Sequence, residues 1–280
     1  MKQKHKFFKY SRLSGCKYSI GIIGCGNMGQ ALVKGIKSKY PKADVCAYDI
    51  DKRRLKKVAK SCNAAEARSL KELVKLSSTL VIAVKPQDIE PALRAIKDNC
   101  LGKFIISIAA GVSTSYIQKK VHFRMPVVRA MPNLAAKVGG SVTALAAGKY
   151  GLTFISKAIK IFDTIGISMI MDEKYMDAVT AISGSGPGYV YYFMDCIYQS
   201  ALSLGLSKQI ARKLVAQTFL GASNLVKDSN DDFKVWASRV ASKGGTTEAA
   251  LNIFKKQALK STVKQAVRAA YLRAKKLKAK

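Results

Sequence analysis

Apolar positions along the chain first run in unbroken clusters and later fall into helical spacing. Tyr18–Ile23 reads as a short buried strand, and the run Gln30–Ser38 after it as a helix. Val45–Tyr48 predicts a second strand, ending at Asp49. Leu55, Val58 and Ala59 then mark one helix, and Leu70, Leu73, Val74 and Leu76 another. Leu80–Val84 is a continuous apolar strand stopped by Lys85-Pro86, where a proline ends ladder pairing. Ile89–Asn99 reads as helix, and Phe104–Ile108 as a strand running into Ala109, Ala110 and Gly111. Strands that are apolar throughout and alternate with helices predict a parallel sheet covered on both faces.

Past about Met171 the strand signals stop. Glu173–Ala181, Tyr189–Leu204, Lys208–Lys227 and Ala249–Lys278 carry helical spacing, the last with room for an interruption. Gly205 and Ser207 stand where a helix-ending glycine and a helix-starting serine belong. The expected organisation is an α/β domain over 18–172 followed by an all-α domain over 173–280, with no internal repeat.

Five segments carry candidate chemistry. The first is Gly24-x-Gly26-x-x-Gly29 between a strand and a helix, with Asp49 at the end of the next strand. Gly24 permits a tight turn, Gly26 lets the backbone approach a pyrophosphate, and Gly29 brings the helix close to the strand. The helix start then offers free N–H groups to the phosphates. The alternative is a tight turn that binds nothing. Asp49 suits the ribose hydroxyls of NAD, whereas Lys52, Arg53 and Arg54 suit a 2′-phosphate or simply form an exposed first helical turn. The choice between NADH and NADPH stays open on these residues, with a lean to NADH because Asp49 holds the strand end.

The second segment is Ala83-Val84-Lys85-Pro86 at a strand's carboxyl end, where a doubly wound sheet opens its ligand crevice. Ser107 to Gly111 ends the next strand with small residues, which leave room for a flat ring or serve packing. The third, Val128–Asn133, reads as a loop carrying polar groups. The fourth, Ser183–Gly188, runs into an apolar helix and offers either an anion-binding helix start or a structural one. The fifth is Ser242-Lys-Gly-Gly-Thr-Thr-Glu248, where backbone N–H groups can hold a carboxylate while a hydroxyl donates elsewhere. Thr246 or Thr247 as an ordinary N-cap is the competing reading.

Composition narrows the class without naming it. Of 280 residues, 49% are hydrophobic, which excludes a disordered or collagen-like chain. Six scattered cysteines without a CxxC pair, and His5 and His122 as the only histidines, argue for reduced thiols and against a metal site. The expected location is therefore cytoplasmic. Charge is the anomaly: 49 Lys and Arg against 17 Asp and Glu give +32. Residues 1–17 hold Lys2, Lys4, Lys6, Lys9, Arg12 and Lys17 with no acid, and read as a flexible basic extension. Residues 249–280 are likewise acid-free. A nucleic-acid role is disfavoured because the basic residues are spread among helices rather than interleaved with aromatics. A membrane span is disfavoured because Ala178–Met194 is broken by Gly184, Gly186, Pro187 and Gly188.

Taken in order, these segments resemble the pyrroline-5-carboxylate reductase family. The matching stretches are GIIGCGNMG (21–29), VIAVKP (81–86), SIAAGVS (107–113), VVRAMPN (127–133), DAVTAISGSGPGYVY (177–191) and SKGGTTEAAL (242–251). The resemblance implies a Rossmann-type dinucleotide-binding domain followed by a helical dimerisation domain, a homodimer, and higher rings of dimers. It also implies NADPH- or NADH-dependent reduction of 1-pyrroline-5-carboxylate to L-proline. By position it places Gly24, Cys25, Gly26, Asn27, Met28, Gly29 and Gln30 on the pyrophosphate. Ala83, Val84, Lys85, Pro86, Ala109, Ala110 and Gly111 fall beside the nicotinamide. Ser242, Gly245, Thr246 and Thr247 fall on the substrate, with the Thr247 hydroxyl facing the imine nitrogen and Ser242 as its alternate. Glu173 matches an acidic substrate-side position.

The chain departs from the family pattern at Lys243, where proline is usual, at Gly188, where alanine is usual, and over Trp236–Arg239. A related β-hydroxyacid or imine reductase would carry a catalytic lysine in a long helix, which the hydroxyl-rich loop replaces here. A basic nucleic-acid-binding protein built on the same fold is the non-enzymatic alternative.

Overall fold

A computed structural model describes residues 16–277 of the chain. The basic extension expected over 1–17 thus lies, except for its last two residues, outside the described residues. The chain divides into two compact units, one reaching Ser185 and including the residues from Ala270 onward, the other spanning Gly186–Ala269. Helical spacing in the sequence places the division at 172/173 instead.

The first unit is built on one sheet. In chain order its elements are β1 (Tyr18–Ile23), α1 (Asn27–Lys39), β2 (Val45–Tyr48), α2 (Lys52–Cys62), β3 (Ala65–Glu66), α3 (Leu70–Leu76) and β4 (Ser77–Ile82). There follow α4 (Ile89–Ile96), β5 (Phe104–Ser107), α5 (Thr114–Lys120), β6 (Val127–Met131), β7 (Ser141–Ala147), α6 (Ile155–Phe162), β8 (Gly166–Ile170) and α7 (Met176–Val179). The strand order is β3-β2-β1-β4-β5-β6-β7-β8. Every neighbouring pair is parallel except β6 with β7. Alternate strand residues feed two apolar layers. Ile20, Ile22, Val81 and Ile106 pack with Leu32, Ile36, Leu55 and Phe162 on one face. Ile23, Leu80, Ile82 and Ile105 pack with Leu73, Leu93 and Ile117 on the other. That two-sided burial is why β1, β5 and the Leu80–Ile82 end of β4 read as apolar runs.

Three expected boundaries move. β4 spans Ser77–Ile82 rather than 80–84, because Ser77, Ser78 and Thr79 are buried in the ladder despite their hydroxyls. Val128–Asn133, expected as a loop, is mostly strand β6. The helix expected from Tyr189 begins at Gly186, since Pro187 is tolerated in a first helical turn.

The second unit is helical: α8 (Gly186–Ser203), α9 (Lys208–Val226), α10 (Phe233–Val240), α11 (Thr246–Lys256) and the first part of α12 (Leu259–Lys276). Gly205 has φ +89°, and the Ser207 hydroxyl accepts the Ile210 N–H, as the glycine-then-cap reading expects. The expected break in the last helical stretch falls at Gln257-Ala258, where Ala258 takes φ +52°. None of α8, α10 and α11 has a buried residue. Tyr192, Leu214, Leu225 and Phe233 stand more than half exposed. These helices keep an uncovered apolar surface of the kind that marks protein interfaces.

Candidate functional site

The carboxyl ends of β1, β2 and β4 open onto a cleft of about 600 Å³. Its walls come from Gly24 and Gly26 after β1, Tyr48, Asp49 and Ile50 at the end of β2, and Ala83, Val84 and Lys85 after β4. Gly24 takes φ +97°, and a Cβ there would lie 2.6 Å from the Ala83 carbonyl oxygen. A Cβ on Gly29 would overlap the Gly24 carbonyl oxygen, so α1 rests directly on the turn. Gly26 faces open space instead, with nothing within 4 Å of its Cβ position. It is the N-cap of α1 and brings no side chain to cap it. The N–H groups of Asn27, Met28 and Gly29 therefore have no partner inside the helix, and no acid sits in that first turn. An anion suits this position by both hydrogen bonding and helix dipole. The residues present fit a dinucleotide pyrophosphate.

Asp49 has a different first duty from the one expected. Only 5% exposed, it accepts the Cys25 N–H on Oδ2 at 2.6 Å and the Asp51 N–H on Oδ1 at 2.8 Å. The carboxylate thereby pins the glycine turn to the end of β2. Asp51 in turn caps α2 by accepting the Arg53 and Arg54 N–H groups. Of the basic trio, Arg54 alone lines the cleft, with Nη1 3.5 Å from Asp49 and Nη2 3.3 Å from Asp51. Lys52 lies over the Tyr48 ring at 4.7 Å. Burial and the Asp49 charge push the Cys25 thiol up to about 12, so this cysteine serves through its N–H and not as an acid or nucleophile.

The remaining cofactor-side residues separate. Gln30 donates its N–H to the Gly26 carbonyl within the first turn of α1. Ala83 donates to the Ile23 carbonyl, and Pro86 opens a short 3₁₀ turn after Lys85. Ala109 is buried in the core and donates to the Ser107 hydroxyl. Gly111 takes φ +76°, and a Cβ there would meet the Leu277 carbonyl oxygen at 2.5 Å. Ala109, Ala110 and Gly111 do not line the cleft. Pro91, Ala92 and Ala95 of α4 do, and sequence reasoning missed them. The signal was three small residues crowded on one helix face.

A buried ion cluster lies on β6. Arg129 places Nη1 3.8 Å from Glu173 and Nη2 3.6 Å from Asp177, with its side chain 5% exposed. Glu173 accepts the Thr114 N–H at 2.8 Å and the Thr114 hydroxyl at 2.7 Å. Each of its oxygens thus accepts one hydrogen bond at the start of α5. Beside the cluster, Asn133 donates Nδ2 to the Ser183 hydroxyl at 3.2 Å.

In the second unit, Gly245 is the N-cap of α11 and has no side chain to offer, so neither Thr246 nor Thr247 is the cap. Gly244, at φ +74°, donates its N–H to the Glu248 carboxylate at 2.7 Å. The Gly245 N–H goes to the Ser242 carbonyl at 2.9 Å. That bond corrects the expectation that Gly245 holds a carboxylate by its N–H. The N–H groups of Thr246, Thr247 and Glu248, in the first turn, have no partner within the helix. Two threonine hydroxyls and a cluster of N–H donors share one helix start.

A sheet ordered 3-2-1-4-5-6, crossed at its carboxyl edge by a glycine turn and an uncapped helix start, defines a dinucleotide-binding α/β protein. Residues 19–111 match the family described as NADP oxidoreductase, coenzyme F420-dependent, and residues 173–277 match pyrroline-5-carboxylate reductase dimerisation. The chain is 33% identical over 263 residues to pyrroline-5-carboxylate reductase 1 of Bacillus spizizenii, covering 92% of this chain and 89% of the relative. A pyrroline-5-carboxylate reductase structure from Coxiella burnetii superposes with TM-score 0.87 at 29% identity, covering 94% of this chain and all of that one. The Plasmodium falciparum pyrroline carboxylate reductase with NADP bound gives TM-score 0.84 at 30% identity, over 95% of this chain and 100% of that one. The chain belongs to the pyrroline-5-carboxylate reductase family.

Proposed function

We infer that this protein reduces the ring imine of 1-pyrroline-5-carboxylate to L-proline with NADPH or NADH. The observation that carries this is the start of α11, where Thr246 and Thr247 bring hydroxyls to a helix turn rich in N–H donors. When bound, the reduced nicotinamide supplies the hydride. The chain's own residues do the rest by positioning. Asn27, Met28 and Gly29 hold the pyrophosphate, and Asp49 keeps their turn in place. The N–H groups of Thr246, Thr247 and Glu248 receive the substrate carboxylate, favoured by the helix dipole. The Thr247 hydroxyl orients the imine nitrogen, whose proton comes from solvent, and Ser242 is the alternate hydroxyl. Following oxidation of each cofactor in the presence of the pyrroline substrate tests the reading. A chain that oxidises neither cofactor would overturn it.

Cofactor preference follows from how Asp49 is used. Its carboxylate accepts from two backbone N–H groups, and Arg54 is the cation that lines the cleft beside it. A guanidinium there suits a 2′-phosphate, which shifts the expected lean from NADH to NADPH. Arg54→Ala should raise KM for NADPH about tenfold and leave NADH nearly unchanged. Asp49→Asn should instead raise KM for both cofactors together, because the amide cannot accept on both sides of the turn. Steady-state kinetics with each cofactor separates the two outcomes. The uncovered helices of the second unit support a homodimer through 173–277 and rings of such dimers, so sedimentation should find no active monomer at micromolar concentration. Six free cysteines support a reducing, cytoplasmic location.

A further inference from the structure

An amine and a thiol meet at the edge of the sheet opposite the cleft, where the parallel strands begin. Lys103, just before β5, is 6% exposed. Its Nζ donates to the Ser77 carbonyl at 2.8 Å, to the Lys75 carbonyl at 3.4 Å and to Cys16 Sγ at 3.4 Å. Cys16, just before β1, is 9% exposed, and its Sγ lies 3.9 Å from the same Lys75 carbonyl. Among the described residues no carboxylate pairs with Lys103. A charge buried on carbonyls and a sulfur alone is costly to keep. Chemistry that turned this ammonium into a neutral group would remove that cost. A second amine stands near the same sulfur: burial brings Lys157 down to about 8, with the Cys16 thiol acting against the shift.

We propose that Cys16 and Lys103 are a redox modification site, joined on oxidation by a single oxygen as Nζ–O–Sγ. Lys103 first releases a proton to solvent. Dioxygen is the oxidant: one of its oxygen atoms enters the bridge, and the other leaves as water with one hydrogen from the amine and one from the thiol. Sulfur and nitrogen each give up an electron pair, and dioxygen takes up both pairs. One N–O and one O–S bond form, while one N–H, one S–H and the O–O bond break. The product is uncharged, ties the segment before β1 to the segment before β5, and returns to thiol and amine with excess thiol reductant.

The full chain equilibrated with dioxygen, and the same chain held in excess thiol, are digested and compared by tandem mass spectrometry. The expected result is a joined peptide pair carrying Cys16 and Lys103, heavier by one oxygen and lighter by two hydrogens, present only in the oxidised sample. Cys16→Ser abolishes it with turnover unchanged, and oxidised wild type melts at a higher temperature than oxidised Cys16→Ser. Lys103→Arg removes the pair as well, but Cys16→Ser decides the matter if that variant fails to fold. Cys16 recovered as a free thiol, Cys16 oxidised to sulfinic acid beside an unmodified Lys103, or a bridge to Lys157 would each overturn the proposal.

Discussion

Thr247→Ala is expected to lower kcat by about 10²–10³ while cofactor binding stays nearly intact, the usual loss when one positioned donor leaves a reacting centre. The argument starts from the first turn of α11. Gly245 and Gly244 have already given their N–H groups to Ser242 and Glu248, so both are spent on the shape of the loop. Thr247 lies one residue inside the helix, where its hydroxyl is not needed as a cap because Gly245 occupies that place. A hydroxyl that no structural task consumes is available to the imine nitrogen. Nitrogen gains electron density as the hydride arrives, so a hydrogen bond to it strengthens in the transition state and appears in kcat. Thr246→Ala should act mainly on KM, since its N–H survives and only ground-state contact is lost. Rapid-mixing measurement of single turnovers with saturating cofactor is the check. Near-normal turnover in Thr247→Ala would move the role to Ser242.

The second large effect is on stability. Arg129→Met should destabilise the fold by about 3–5 kcal/mol, the penalty typical of removing one member of a buried ion cluster. Arg129 is the cation that bridges Glu173 and Asp177. Methionine fills much of its volume but leaves two carboxylates without their shared cation at the junction between β6 and α7. Glu173 would still hold Thr114, and Arg129→Met/Asp177→Asn, which removes one of the two charges, should recover part of the loss. Urea unfolding of the single and double variants measures both. Equal stability of Arg129→Met and wild type would show that the cluster is an ornament.

How far the sequence speaks for the fold depends on which faces of a strand are buried. β1, β2, β5 and the Leu80–Ile82 end of β4 are covered on both sides and announce themselves as apolar runs. β6 hides because Arg129 interrupts its run, and only the fold supplies the carboxylates that let arginine stay inside. β7 is Ser-Val-Thr-Ala-Leu-Ala-Ala, too small and hydroxylated to stand out, and β8 keeps Met169 and Ile170 exposed at the edge of the sheet. At the site, the glycines of the first turn are legible because sterics leave no other residue for Gly24 and Gly29. The part played by Asp49 was not. Its residue type fits a ribose hydroxyl and a backbone N–H equally well, and only the path of the turn decides which it meets. Glu173 is a parallel case: its residue type does not tell that its oxygens meet Thr114.

Asp49 accepts one hydrogen bond on each oxygen, from the Cys25 N–H of the turn and from the Asp51 N–H, and this has a consequence for anyone who would exchange the cofactor. Protein engineers switching a nicotinamide enzyme between its two currencies usually begin at the acidic residue closing the second strand. In this chain that side chain is a rivet in the cradle itself, and replacing it is expected to loosen the grip on either cofactor alike. The two groups touch, with Arg54 Nη1 3.5 Å from Asp49, and under the proposed reading Asp49 holds the cradle and Arg54 makes the choice. On that reading, redesign in the laboratory or by descent has more room at position 54 than at position 49.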